Sequence, residues 1–181
     1  MGDARRAQQA VALAGVLGYH VPLEKLMRLL LIALLFLLLA PPARARLGEN
    51  EEQCVRRYGP VVGHYSTHDP GLDLPVLVFN KNGYAVSATL LNSRVRELKV
   101  RKLDDSDLSD NEMGIFLNAN RENLKWIRQP AMSLKSYWLR DDGAQAEYNP
   151  INHTLTLTAA EYLAAKAAAV KVDEVKRTEG F

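Results

Sequence analysis

Two Asx-Gly pairs, Asn82-Gly83 and Asp142-Gly143, stand sixty residues apart, each between runs in which apolar and polar residues alternate. Such a pair tolerates the positive φ of a tight β-hairpin, so each fixes two antiparallel strands around itself. Around the first, strands are expected over 74–79 and 84–91, with Pro75 tolerable at a strand's start. Asn92-Ser93 then turns the chain into a third strand over 94–102. Around the second, strands are expected over 134–140, 144–148 and 154–157.

Helix signals interrupt these strands. Glu49, Glu51 and Glu52 precede Arg56 and Arg57, in the order that favours the two ends of a short helix, and Gly59-Pro60 stops it. Cys54 and Tyr58, four apart, share its inner face. His64 to Leu72 is polar and punctuated by Gly63, Pro70 and Gly71, hence loop. Ser109 and Glu112 have the spacing of a capping box for a helix through Asn118, whose Met113, Phe116 and Leu117 fall on one face. Thr158 and Glu161 repeat that spacing and open an alanine-rich helix toward Val170, with charged, frayed residues beyond. Laid side by side, the two halves place Gly83 on Gly143, Phe79 on Leu139, Asn92 on Asn152 and Val95 on Leu155. The expected fold is α+β: an antiparallel sheet with helices on one face, built as a tandem αβββ repeat.

Upstream, Arg28 is followed by an uncharged run from Leu29 to Ala40, then Pro41-Pro42 and Ala43-Arg44-Ala45. These are the parts of an export signal. The run makes about 18 Å of helix, against the roughly 30 Å of a bilayer core, so it is short for a span. Cleavage is expected between Ala45 and Arg46, with Met27 as the start of translation. The chain then divides into an upstream extension or long n-region (1–26), a signal peptide (27–45), a mature α+β domain (46–172) and a flexible tail (173–181). Residues 1–45 hold five of the 23 basic and two of the 21 acidic residues, which leaves 18 and 19 and a mature net charge of −1. The basicity of the whole chain therefore belongs to the leader, and no nucleic-acid partner is expected. One cysteine closes no internal disulfide and supplies no cysteine-based zinc site.

The segment Cys54-Val55-Arg56-Arg57-Tyr58-Gly59-Pro60, the meander around Gly83, and Leu117-Asn118 followed by Trp126 resemble a group of small exported bacterial proteins without an assigned activity. The tandem plan is similar in outline to the beta-lactamase inhibitory protein and to the small lipoproteins of the outer-membrane assembly machinery. No lipobox precedes Cys54, which departs from the latter. The resemblance implies a fold and a compartment, periplasmic or secreted, and carries over no catalytic residue.

His64, His68 and Asp69 are the candidates for chemistry, since two imidazoles and a carboxylate within six residues suit a divalent ion and a small metal-dependent hydrolase. The glycines and proline around them favour a plain loop. Asp105, Asp107 and Ser109 begin like a calcium loop, but Asp110 stands where glycine is required and Phe116 where glutamate should close it. Arg94, Arg96, Lys99, Arg101 and Lys102 form a basic strand, either a partner-binding surface or an edge strand guarded by charge. Cys54 reads as a small buried hydrophobe; Trp126, Tyr137, Trp138 and Tyr148 are candidates for an aromatic binding surface, against which strand alternation makes Trp138 and Tyr148 core or cross-strand pairs. Asn152-His153-Thr154 is a glycosylation sequon for a host that modifies exported chains. No nucleophile elbow, phosphate loop or dinucleotide glycine pattern is present. The expectation is a non-enzymatic binding module of the cell envelope, with no cofactor and no membrane span after cleavage, meeting an envelope protein through Arg94, Arg96, Lys99 and Arg101.

Overall fold

The computed structural model describes residues 46–69, 71–130 and 134–179, so the leader expected before Arg46 lies outside the described residues. Helix α1 (Glu51–Tyr58) starts where the Asn50 side chain accepts the Gln53 N–H while Gln53 reaches back to the Asn50 N–H. It ends at Gly59, whose φ of 92° a side chain would resist. Four strands follow: β1 (Gly63–Ser66), β2 (Pro75–Lys81), β3 (Tyr84–Leu91) and β4 (Arg94–Lys102). Helix α2 (Asp110–Ala119) opens on the expected box of Ser109 and Glu112. Then come β5 (Trp126–Arg128), β6 (Ser136–Arg140), β7 (Gln145–Asn149), β8 (Thr154–Thr158) and helix α3 (Ala160–Thr178).

All eight strands join one antiparallel sheet in the order β1-β2-β3-β4-β8-β7-β6-β5. The α+β class is therefore as read from the sequence. Because side chains alternate along a strand, one row across the sheet is apolar: Leu77, Ala88, Leu98, Leu157, Ala146 and Trp138 lie opposite one another in turn. The next row on that face includes Phe79, Val86, Val100, Leu155 and Tyr148. Cys54 and Tyr58 of α1 and Met113 and Leu117 of α2 cover these rows in a single core, the Tyr58 ring 5.2 Å from that of Phe79. Full burial of each such leucine contributes about 2 kcal/mol.

The opposite face is polar. Its corresponding row runs Ser87, Lys99, Thr156, Glu147, Tyr137. Helix α3 belongs to this side: its fully buried Tyr162 lies close enough to Glu97 to feel that carboxylate, and its hydroxyl donates to Asp69 at 2.7 Å. Lys166 pairs with the same Asp69, and Gly71 runs so near Ala169 that a Cβ there would come within 3.3 Å of it. The expectation of all helices on one face is thus corrected, with α1 and α2 on the apolar side and α3 behind the end of the sheet. Among the described residues no helix is long and apolar enough to cross a membrane.

Other expectations change in detail. Residues 63–66 form an edge strand instead of loop, and β5 is a second strand absent from the sequence reading. Thr158 does not cap α3. It is held in β8 opposite Glu97 and Gln145, so the cap position falls to Ala159, without a side-chain bond, and Glu161 pairs with Arg96. The helix continues past Val170 to Thr178, supported by the Asp173–Arg177 pair one turn apart. Asn82-Gly83 forms a two-residue loop with φ of 51° and 84°, whereas Asp141-Asp142-Gly143 is a three-residue loop closed by Arg140 and Ala144. The extra residue sets the incoming strand back by one, so Trp138, opposite Ala146, takes the buried place that Phe79 has opposite Val86. Leu139 is left 41% exposed.

Candidate functional site

The basic strand β4 is no edge. It lies between β3 and β8 at the middle of the sheet, and its five cations part company, Lys102 pairing with Glu112 of α2. Arg94 donates to the Gly48 carbonyl oxygen at 3.1 Å. Arg96 occupies a bulge, the one residue of β4 between the partners of Thr89 and Leu90, and pairs with Glu161 of α3. Lys99 and Arg101 stand on the polar face, each about half exposed, paired with Glu97 and Asp105. Around them lie Ala85, Ser87 and Thr154 in a shallow hollow.

The two histidines are separated. His64 pairs with Leu77 and lines a hollow beside Asn50 and Glu51, on the α1 side. His68 and Asp69 border the polar face with Thr89, Glu97 and Lys99. Asp69 is already engaged by Tyr162 and Lys166; burial opposes its ionisation, but these bonds outweigh it and hold the carboxyl below its usual range. Among the described residues no three His, Cys, Asp or Glu side chains are placed to hold a metal ion.

Cys54 is fully buried, and burial, reinforced by Glu49, pushes its thiol up to about 12. It packs as a hydrophobe. Trp138 and Tyr148 belong to the core, and the Tyr148 hydroxyl donates to Asp107 and accepts the Leu108 N–H, tying the hairpin to the connector before α2. That use of Asp107 gives the acidic connector a structural role.

A cleft of about 230 Å³ was not foreseen from the sequence. It lies between α1, α2 and the β2–β3 hairpin, walled by Tyr58, Tyr84, Val86, Ile115 and Phe116, with Lys81 at its polar rim. The rings of Tyr84 and Phe116 meet edge to face at 5.3 Å. Glu112 closes one side: it accepts from Tyr84 at 2.6 Å and from the Ser109 N–H at 2.8 Å, and pairs with Lys102 at 3.0 Å. The Tyr84 bond first, then the Ser109 N–H, bring its carboxyl down to about 2.

A depressed carboxyl contributes stability that is complete above its unfolded pKa, about 4.3, and is lost as pH falls through the folded value. Acid titration of unfolding should therefore show stability declining between about pH 4.5 and 2, with about 1–2 kcal/mol of it from this partly screened site. Glu112→Gln, which keeps the capping spacing, should flatten that interval; an unchanged slope would assign the loss to other carboxyls.

No family model matches the chain, and no curated protein does. Among solved structures it is similar to an extracellular protein containing a SCP domain from Bacillus anthracis, at 12% identity and a TM-score of 0.38, over 65% of this chain and 45% of that one. The chain thus spans less than half the length of that protein, and likeness at this level assigns it neither fold nor function.

Proposed function

We propose that the domain is an exported, non-enzymatic binding module of the cell envelope, and that it meets an acidic protein segment on the polar face of its sheet. The reading of the leader as a signal peptide supports the compartment, and the two helix-plus-meander halves, meeting at β4 and β8, form a tandem repeat that presents this face as one surface. The observation that carries the proposal is the half-exposed pair Lys99 and Arg101 on that face, beside the hydroxyls of Ser87 and Thr154. The exposed Arg101–Asp105 pair is worth at most about 1 kcal/mol, so Arg101 can exchange Asp105 for a partner's carboxylate at little cost, while the half-exposed Lys99 keeps the buried Glu97 and takes a second carboxylate from the partner. Arg94 and Arg96, engaged at the end of the sheet, play a supporting part.

The test is capture from envelope extract by the mature domain and by Lys99→Glu/Arg101→Glu. The double variant should lose the partner, and the wild-type complex should weaken as salt rises. Capture that is indifferent to both would remove the polar face from the interaction.

A further inference from the structure

We propose that the cleft between α1, α2 and the β2–β3 hairpin is a binding site for a small monocarboxylate with an apolar body of about six to eight carbons, separate from the polar face. Three observations carry this. The walls, Tyr84, Phe116, Ile115 and Val86, are apolar or aromatic, and Ile115 is 44% exposed, so part of this wall faces water. The volume of about 230 Å³ is that of roughly eight waters in the liquid, which suits a ligand of that size.

The third is charge. Arg57 is matched by Glu49, its Nε donating at 2.9 Å, and Glu112 is matched by Lys102. Lys81 has no carboxylate among the described residues; its ammonium donates to the Arg57 carbonyl oxygen at 2.9 Å and has two further N–H groups to give. The rim therefore carries one positive charge without a counterpart. A carboxylate on Lys81, with its carbon chain along Tyr84 and Phe116, gives the cation its missing partner and removes apolar wall from water.

Hexanoate and benzoate, titrated into the mature domain and followed by amide chemical shifts, are the probes, with hexanol, benzyl alcohol and hexylamine as controls. Eight or nine non-hydrogen atoms support a dissociation constant on the order of 1 mM. The expected result is saturable 1:1 binding of the two carboxylates with shifts at Tyr84 and Ile115, and at least about tenfold weaker binding of the alcohols and the amine. Lys81→Met should weaken the carboxylates by a similar factor while leaving the melting temperature in place. Ile115→Glu, at an exposed position, should repel them without unfolding the helix. Alcohols that bind as well as acids, carboxylates indifferent to Lys81→Met, or no saturation by about 10 mM would each overturn the proposal.

Discussion

Replacing Tyr162 with alanine should lower the unfolding free energy by about 3–5 kcal/mol, the range for removing a buried aromatic ring. Tyr162 is fully buried, and through it α3 is both packed against the sheet and bonded to the β1–β2 loop. Burial first, then the bond to Asp69, raise the pKa of its hydroxyl, so it stays a donor throughout the physiological range. Tyr162→Phe keeps the ring and removes only that donor; with Lys166 still on Asp69, the cost should fall to about 1–2 kcal/mol. Urea unfolding of the mature domain measures both. Equal costs for the two variants would mean that the hydroxyl, and not the packed ring, fixes the helix.

The second large effect is expected at Arg140, whose side chain is 3% exposed. It donates to both oxygens of Asp142, at 2.8 and 2.6 Å, and to the backbone oxygen of Asn120, and it lies 5.3 Å from the Trp126 ring centroid. Asn120 is itself buried, with its side chain accepting the Leu47 N–H at 2.7 Å and donating to the Phe116 carbonyl at 2.9 Å. One guanidinium therefore joins the β6–β7 loop, the end of α2 and the start of the described chain. Asp142→Ala strands most of that buried charge and should cost about 3 kcal/mol, the lower end for a broken buried pair because Glu122 remains at 3.7 Å. Arg140→Met removes the charge along with its desolvation cost and should be milder, about 1–2 kcal/mol. The reverse order in thermal or chemical unfolding would show that Arg140 acts through packing on Trp126 and not through its charge.

The hairpins were legible because Asn82-Gly83 and Asp142-Gly143 encode turn geometry within a few residues, and α1 and α2 because their caps lie beside them in sequence. Strands β1 and β5 were not, since an edge strand has one neighbour and no need of strict alternation: His64, Tyr65 and Ser66 are all exposed. The place of β4 was illegible for a different reason. Its second neighbour, β8, arrives more than fifty residues later, and no local pattern distinguishes a basic strand at an edge from one whose cations share a single outward face. The cleft draws on residues from Arg57 to Ala119, so only the closed sheet brings its walls together. The sequence reading of Thr158 failed because a capping pattern and a strand end competed for one residue, and pairing with Glu97 prevailed.

The late arrival of β8 bears on how the chain folds as it is made. Residues up to Lys102 can close their hairpins as soon as they are available, but until Thr154–Thr158 docks, the finished half-sheet ends on β4, whose backbone groups from Glu97 to Val100 have no neighbour on that side. During that interval it is an open edge of the kind that recruits strands from other molecules, and Arg94, Arg96, Lys99 and Arg101 along it repel an identical strand. The charges that look outward from the middle of the completed sheet thus also stand guard over the half-built one, in the very interval when a wrong neighbour would be irreversible.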